Sequence, residues 1–377
     1  MEVRNALGRH RNVRCIPVPN PLEIPEALTM TLRGREVDDG DINHGERFLL
    51  HTGQEGKLLV FCAVSELSAL HQTEYLVCDG TFEMAPQSAY QVYTIHGYVH
   101  DEGVPLLWAL LPNKTTASYK ELFTAVRNAL QTAFGGIGQM RYLICDFELA
   151  AINAVTAVFP ELTIKGCSFH FRQALMRRLQ NLGLRSTYHS ETEYPSVRNW
   201  LREIMAMSML PCFAVPLAWQ VMKQHPVTGS STVDSQCAAF ADYFNNTWVT
   251  GDFSPSMWTH FDHLGPRTTN LAEGWHNGLN SQFGMPHPSL QSFLNWLQQC
   301  QFGVQCRLTQ LASGRPTKPR ASRYVLLDQH IQDAKVHYNT TVGHIFAYIF
   351  PKPEAWFLFH ESTSAYLRRV AHLVGIN

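Results

Sequence analysis

Two stretches of this sequence, YLVCDGTF at residues 75–82 and RYLICDFE at residues 141–148, decide the expected fold. Each is an apolar run of strand length that ends at an aspartate, Asp79 in the first and Asp146 in the second. A run of roughly four to eight apolar residues closed by a turn signal is typical of a buried strand. Because charges are rarely buried without a partner, the two segments predict paired carboxylates at a sheet edge, where open α/β sheets bind ligands.

The pattern around these segments predicts a mixed α/β core. Strand-like runs cover 75–79, 89–99 and 104–111, which is the spacing of an antiparallel meander. A helix at 118–131 follows, with Ser118 and Glu121 at capping-box spacing. The remaining elements expected in this region are a strand at 141–146, a helix at 148–159 and a strand at 162–167. The order βββαβαβα predicts an α/β core of three layers.

Beyond this core the strand pattern stops. Helical spacing of apolar residues from about 171 to 265 predicts an all-helical insertion, and further helices are expected from Asn270 and over 289–311. The stretch 313–323 is a polar, basic loop, and the tail after it has no clear pattern. The expected domains are an irregular, extended N-terminal segment (1–60), the first part of the core (61–185), the helical insertion (186–265), the last core helices (266–311), and the basic loop with the C-terminal tail (312–377).

Composition describes a globular protein with a large core. Apolar residues make up 45% and charged residues 16% of the 377 positions, which excludes extensive disorder. The formal net charge of −1 gives no global basic field, so nucleic-acid binding would depend on a local patch. Nine scattered cysteines without a CxxC motif predict reduced thiols. With no signal peptide and no membrane-spanning apolar run, a soluble intracellular protein is expected.

A third acid, Glu273, stands on the helix expected from Asn270. Asn270, Glu273, Asn277 and Asn280 fall on one face of that helix, and Leu271, Trp275 and Leu279 fall on another. Two aspartates and a glutamate form a hard oxygen set that suits Mg²⁺ or Mn²⁺, and two such ions support phosphodiester chemistry. Ordinary roles stay open for each acid: an Asp-Gly turn for Asp79, a helix N-cap for Asp146, and capping for Glu273.

The motifs DGTF at 79–82, CDFE at 145–148, GCSFH at 166–170 and NLAEGWHN at 270–277, in this order, resemble those of Mutator-like element (MULE) transposases. The resemblance covers about residues 60–300. It implies a ribonuclease-H-like mixed-sheet core of the DDE transposase and integrase superfamily, interrupted by the helical insertion before the last catalytic helix. It also implies that Asp79, Asp146 and Glu273 are the catalytic and metal-binding triad for two Mg²⁺ or Mn²⁺ ions, with Asp79 between them. No other small-molecule cofactor is expected.

Several further residues are candidates for auxiliary roles. Cys167 and His170 have the CxxH spacing of half a zinc site, but no second half is evident, so a structural zinc is not expected. The resemblance implies that His170, with Cys167 and Asn277, lies close to the active site, while a packed core pair is the alternative for Cys167 and His170. Glu148 is expected to face solvent in the first turn of its helix.

The candidates for DNA contact are arginines and lysines on a helix and a loop, and one tryptophan of the insertion. They are Arg172, Arg177, Arg178, Trp248, Arg315, Lys318, Arg320 and Arg323. Cations would bind phosphates and Trp248 would stack on a DNA base. A solvated surface for the cations and core packing for the tryptophan are the alternatives.

The expected function is therefore that of a MULE-type DNA transposase, which hydrolyses phosphodiesters at transposon ends and transfers the strand to target DNA. Such a protein is expected in the nucleus, as a homodimer or larger assembly on DNA. Nothing upstream of residue 60 has zinc-ligand spacing, whereas MULE transposases usually carry a zinc-dependent DNA-binding module there. The alternatives are a host-domesticated, non-catalytic DNA- or protein-binding regulator derived from a transposase, and a ribonuclease-H-like nuclease without strand transfer.

Overall fold

The computed structural model describes residues 24–32, 46–53, 56–100, 102–283, 286–317, 321–349 and 352–374. The chain divides into two compact units, and each is assembled from two separate stretches of sequence. The first unit contains Met1–Ile164 and Thr268–Lys318, and the second contains Lys165–Arg267 and Pro319–Asn377.

The first unit is organised around a mixed sheet. Its strands are β1 (Leu49–Thr52), β2 (Leu59–Phe61), β3 (Tyr75–Thr81), β4 (Gln91–Val99), β5 (Glu102–Leu111), β6 (Tyr142–Cys145) and β7 (Thr163–Gly166). They form one seven-stranded sheet in the order β1-β2-β5-β4-β3-β6-β7. Strands β3, β4 and β5 are an antiparallel meander, and β6 pairs with β3 in parallel. The predicted meander and the mixed α/β character of the core are confirmed.

Helices account for most of the remaining described residues. In chain order they are α1 (Glu26–Thr29), α2 (Val64–Gln72), α3 (Thr116–Phe134), α4 (Leu149–Val158), α5 (Ser168–Asn181), α6 (Arg185–His189), α7 (Pro195–Ala206), α8 (Ala214–Met222), α9 (Ser231–Phe244), α10 (Pro255–Trp258), α11 (Asn270–Phe283), α12 (Leu290–Ala312), α13 (Ser322–His344) and α14 (Pro353–Leu373). The region expected to be an all-helical insertion is helical, with a 3-10 turn at Met207–Met209 and a π-helical turn at Asn245–Val249.

Both faces of the central strands are covered by helices. On β4, Tyr93 packs its ring against Tyr119 of α3, while its neighbour Thr94 lies 3.4 Å from His276 of α11 through Oγ1 and Nε2. Successive side chains of a strand point to opposite faces. Helices α3 and α11 therefore cover opposite faces of the sheet.

Helix α3 begins earlier than the sequence predicted. Thr115, rather than Ser118, is the N-cap, because its Oγ1 accepts a hydrogen bond from the Ser118 N–H at 3.4 Å. The helix ends at Gly135, whose φ of 77° is a left-handed conformation that glycine adopts without a Cβ clash. The apolar stripe of α3, which is buried, contains Tyr119, Leu122, Phe123, Val126 and Leu130.

The N-terminal region is more regular than predicted. Within the stretch expected to be irregular, the described residues form α1, β1 and β2, and the following residues form α2. Strand β2 joins the sheet by pairing with β5, with Val60 opposite Ala109. The rest of the predicted irregular segment, residues 1–23, 33–45 and 54–55, lies outside the described residues.

The second unit is helical and includes the C-terminal tail that the sequence pattern left unplaced. The last helix, α14, is tied to α7 by Arg368, whose Nε donates to Glu203 Oε1 at 2.7 Å. Tyr366 donates its hydroxyl hydrogen to the Met209 carbonyl at 2.7 Å. Leu367 and Val370 are fully buried, so the tail forms part of the core of this unit. In the described part of the chain, no helix is both long enough and apolar enough to cross a membrane.

Candidate carboxylate site

Asp79 and Asp146 lie side by side because of the parallel register of their strands. Val77 of β3 is paired with Ile144 of β6, and each aspartate comes two residues later. Both side chains line one pocket of about 50 Å³. The lining residues of this carboxylate pocket are Cys78, Asp79, Gly80, Phe82, Gln91, Tyr93, Lys114, Cys145, Asp146, Glu148 and Ala151. The predicted pairing of the two aspartates at the sheet edge is thus what the fold produces.

Asp79 is held on two sides. Its Oδ1 accepts a hydrogen bond from the Gly80 N–H at 2.9 Å, and its Oδ2 lies 3.3 Å from Nδ1 of His276. Only 10% of the Asp79 side chain and 9% of the His276 side chain are exposed. Asp79 lies within β3, so the alternative of an Asp-Gly turn is wrong. The contact with His276 instead fixes the carboxylate against helix α11.

His276 is the residue of this site that the sequence did not single out. It stands in the NLAEGWHN motif beside Asn277, which was the residue chosen there. Asn277 is exposed on the outer face of α11, while His276 is buried against the sheet. Its other ring nitrogen, Nε2, lies 3.4 Å from Thr94 Oγ1. The available signal in the sequence was a histidine directly before Asn277, within a helix that was already expected to line the site.

Glu148 is a third carboxylate of the pocket, and the prediction that it faces solvent is wrong. It is the N-cap residue of α4, in an extended conformation with φ −93° and ψ 105°, rather than a residue of the first helical turn. Its side chain is 28% exposed, and Oε2 lies 3.4 Å from Nζ of Lys114. Because the backbone turns at this position, the Glu148 side chain lines the pocket together with both aspartates.

Glu273 lies on α11, one turn before His276, and does not line the carboxylate pocket. Its Oε1 accepts a hydrogen bond from Thr269 Oγ1 at 3.4 Å. This contact between two side chains joins Glu273 to the residue that precedes the helix. Within the described residues, no group of three or more His, Cys, Asp or Glu side chains is arranged around a common metal position. The geometry brings two acids of the predicted triad together and leaves the third on the neighbouring helix.

The thiol and phenol groups that line the pocket are uncharged, so the carboxylates are its anionic groups and its possible metal ligands. Burial raises the pKa of the Cys78 thiol, and the nearby Asp79 adds to the effect. Burial likewise raises the pKa of Tyr93, so neither group ionises near neutral pH. Three carboxylates therefore face one ammonium, that of Lys114, among the described lining residues. Hard oxygen ligands with an excess of negative charge fit Mg²⁺ or Mn²⁺.

Cys167 and His170 belong to the second unit. Cys167 is fully buried directly before α5, and its carbonyl accepts the Phe171 N–H at 2.9 Å. The ring of His170 packs against Phe169 with 5.5 Å between ring centres. The burial of Cys167 agrees with the packed-core alternative, whereas His170 is half-buried against an exposed Phe169, and its role stays a prediction.

The prediction that Trp248 stacks on a DNA base is wrong for this conformation. Its side chain is 2% exposed in the core of the second unit. The ring packs edge-on against Phe171 at 4.8 Å and stacks on Phe253 at 5.2 Å. Its carbonyl also accepts a hydrogen bond from Trp258 Nε1 at 2.8 Å. The Trp248 ring is a core group, because no face of it is open to a base.

The cationic candidates for DNA contact differ in how exposed they are. Arg172 is turned inward, where Nη1 donates to the Val374 carbonyl at 2.7 Å and burial lowers its pKa, so the expected phosphate contact is not available. The guanidinium of Arg178 lies 5.3 Å from the centre of the Tyr243 ring. The exposed members are Arg177, Arg315 and Arg323. Lys318 and Arg320 lie outside the described residues.

A comparison with protein families agrees with this geometry. Residues 75–174 match the model of the MULE transposase domain. The matched stretch begins with β3 and Asp79, includes β6 and Asp146, and ends within α5. No curated protein is significantly similar to the chain. Residues 75–174, which carry both aspartates, are thus similar to the MULE transposase domain.

Proposed function

We propose that this protein is the catalytic part of a MULE-type DNA transposase. It hydrolyses DNA phosphodiesters at transposon ends and transfers the freed strand to target DNA, with divalent metal ions. The observation that carries this proposal is the shared pocket of Asp79 and Asp146, which lies inside the matched transposase segment. The order of the meander and of the parallel pair β3–β6 supports a ribonuclease-H-like core.

Each acid has a role in the proposal. Asp79 and Asp146 would hold Mg²⁺ or Mn²⁺ in the carboxylate pocket, and Glu273 of α11, which does not line that pocket in this structure, would be the third ligand. Two bound ions would supply an activated attacking oxygen and charge compensation for the leaving oxygen. His276 keeps the Asp79 carboxylate in one orientation, since its Nδ1 lies 3.3 Å from Oδ2. An ordered carboxylate lowers the cost of assembling the reacting groups.

The partners follow from the reaction. Transposon ends and target DNA are the substrates, and the nucleus is the proposed location. A homodimer or larger assembly would hold two ends together. The exposed cations Arg177, Arg315 and Arg323 are the described candidates for contact with phosphates.

The test is Mg²⁺- or Mn²⁺-dependent nicking of labelled DNA, together with metal binding by calorimetry. The unaltered protein is compared with Asp79→Asn, Asp146→Asn and Glu273→Gln, and exposed Asp252→Asn serves as a matched control. We expect nicking to fall by at least about a hundredfold in the first three variants, with unchanged circular dichroism. Full activity of any of the three would remove that residue from the site.

The same experiment separates the alternatives. DNA binding by the unaltered protein with neither metal uptake nor nicking would favour a domesticated, non-catalytic regulator. Nicking without joined strands in the products would favour a ribonuclease-H-like nuclease. Joined strands support the transposase.

A further inference from the structure

Lys114 brings a positive charge to a pocket that is otherwise lined by carboxylates. It lies in the loop between β5 and α3, and its Nζ is 3.4 Å from Glu148 Oε2. The same Nζ lies 4.0 Å from the centre of the Phe82 ring. Lys114, Phe82 and Glu148 all line the pocket that contains Asp79 and Asp146. The ammonium is therefore placed at the pocket by two separate contacts.

The backbone that carries Lys114 is fixed by the residues on either side. Asn113 Oδ1 accepts hydrogen bonds from the Thr115 N–H at 3.0 Å, from Thr115 Oγ1 at 2.6 Å and from Ser118 Oγ at 2.8 Å. Thr115 is in turn the N-cap of α3. This network ties the loop to the start of a long helix, so Lys114 leaves the backbone from a defined point beside the site.

Stability alone is a weak reason for this arrangement. The side chains of Lys114 and Glu148 are 37% and 28% exposed, and ion pairs of that exposure contribute about 0–1 kcal/mol. A cation over an exposed ring adds about 0.5–1 kcal/mol. Phe82 is itself 38% exposed and needs no covering cation to be folded.

The balance of charge in the pocket suggests a DNA phosphate as a second partner for Lys114, besides Glu148. Three carboxylates and one ammonium leave the empty pocket with a net negative charge, which repels a DNA phosphate. Divalent ions held by the aspartates would reverse that balance. Glu148 is then the group that competes with an incoming phosphate for the Lys114 ammonium, and a lysine ammonium is a good point-charge ligand of phosphate.

We propose that Lys114 binds a non-bridging oxygen of the DNA phosphate presented to the Asp79–Asp146 pocket, and that Glu148 holds the ammonium in place until the phosphate arrives. This assignment rests on the proposed function, because it takes DNA as the substrate. It makes Lys114 a substrate-contacting residue and Glu148 its positioning residue.

The first test measures binding of a labelled random-sequence DNA duplex against salt concentration, with Ca²⁺ in place of Mg²⁺ so that no cleavage is needed. We expect Lys114→Gln to lower the salt slope by about 1, as for the loss of one phosphate contact, while Lys114→Arg keeps it. The matched control is Lys120→Gln, since Lys120 is exposed on α3 and lines a different groove. An unchanged slope in Lys114→Gln overturns the assignment, whatever happens to nicking.

The second test uses the opposite effects of the two partners. With Ca²⁺ present, Lys114→Gln should weaken DNA binding, whereas Glu148→Gln should strengthen it severalfold because the ammonium is released. Because removing any anion favours binding to DNA, the deciding variant is Glu148→Gln in the Lys114→Gln background, where we expect no further change in DNA affinity. An equal gain in affinity in that background would be a general charge effect and would overturn the assignment.

The nicking assay keeps this inference separate from the proposed function. With Mg²⁺, Lys114→Gln should nick roughly tenfold to a hundredfold more slowly, less than the loss expected for a fully buried donor. If the unaltered protein does not nick but the salt slopes differ as predicted, the phosphate contact stands and the catalytic proposal fails. If the unaltered protein nicks DNA but Lys114→Gln has the same salt slope as the unaltered protein, the catalytic proposal stands and the phosphate contact fails.

Discussion

Nδ1 of His276 lies 3.3 Å from Oδ2 of Asp79, and both side chains are nearly buried. This contact joins helix α11, which also carries Glu273, to the strand that carries the first aspartate. A second partner on the far side of the ring, Thr94 Oγ1 at 3.4 Å from Nε2, limits rotation of the imidazole. His276 is therefore positioned to set the orientation of a proposed metal ligand.

Replacing His276 should weaken metal-dependent activity without removing a proposed ligand. We expect His276→Ala to lower metal affinity or the nicking rate roughly 10- to 100-fold, which is the usual effect of losing a group that orients a ligand. His276→Asn should recover much of it, because an asparagine amide nitrogen occupies nearly the position of Nδ1. The measurement is the nicking rate over a Mn²⁺ titration, with His51→Ala as a control in the same unit. Equal loss in the Asn and Ala variants would point to packing alone.

Glu66 should make the stability of the first unit depend on pH. It is fully buried on α2, where Oε2 accepts the Ala63 N–H at 3.1 Å and Oε1 accepts from Gln301 Nε2 at 3.0 Å. Burial raises its pKa from 4.5 to about 7. The folded state binds the Glu66 proton more tightly than the unfolded state does. Protonation of Glu66 therefore contributes fully to the free energy of unfolding below pH 4.5, and this contribution is lost as the pH rises through 7.

The variant Glu66→Gln should remove that dependence. The Oε1 of Gln301 is buried without a hydrogen-bond partner among the described residues, so rotation of the Gln301 amide would let it accept from the new glutamine. We expect the free energy of unfolding of the variant, relative to the unaltered protein, to rise by roughly 3 kcal/mol from pH 4.5 to pH 8. Urea denaturation at several pH values measures this difference, and parallel pH profiles would contradict it.

Trp248 should behave as a core residue of the second unit. Its ring is enclosed by Phe171 and Phe253, so Trp248→Ala should lower the free energy of unfolding by about 3–5 kcal/mol. Phe213→Ala is the matched control, since Phe213 is 59% exposed in the same unit. Denaturant melts followed by tryptophan fluorescence make the measurement. If Trp248→Ala left the free energy of unfolding unchanged but abolished DNA binding, stacking of Trp248 on a DNA base would be the better explanation.

The C-terminal tail should be required for the stability of the second unit. Leu367 is fully buried on α14, and Leu367→Ala should cost about 2–5 kcal/mol. Phe357 lies on the same helix but is 67% exposed, so Phe357→Ala should change the free energy of unfolding by less than about 0.5 kcal/mol. Thermal melts of both variants test the pair. Equal melting temperatures would mean that the tail contributes little.

The sequence predicted those elements whose pattern is long and local. The strands of the meander carry extended apolar runs, and the helix expected at 289–311 is observed at Leu290–Ala312. Strands β1 and β2 were missed because three or four residues are too few to show a period. Strand β2 takes its place in the sheet by pairing with β5, which is far away in the sequence, and β1 pairs with β2.

The site was predictable to the extent that backbone register determines it. Asp79 and Asp146 come together because β3 and β6 are parallel and each aspartate lies two residues after the paired residues Val77 and Ile144. Glu148 and His276 could not be placed in this way, since their roles depend on side-chain direction. An extended N-cap conformation turns Glu148 into the pocket, and His276 is recognisable only once Asp79 is known to be its neighbour.

The two units are interleaved along the chain, and this limits how the protein can be divided. Each unit has one stretch of sequence before residue 268 and a second stretch after Arg267. A single cut, whether by a protease or by the choice of expression boundaries, cannot release either unit whole. A nascent chain that has just passed Arg267 already contains both aspartates but neither Glu273 nor His276. Co-expression of fragments, rather than expression of one domain alone, is the way to reconstitute the proposed active site in parts.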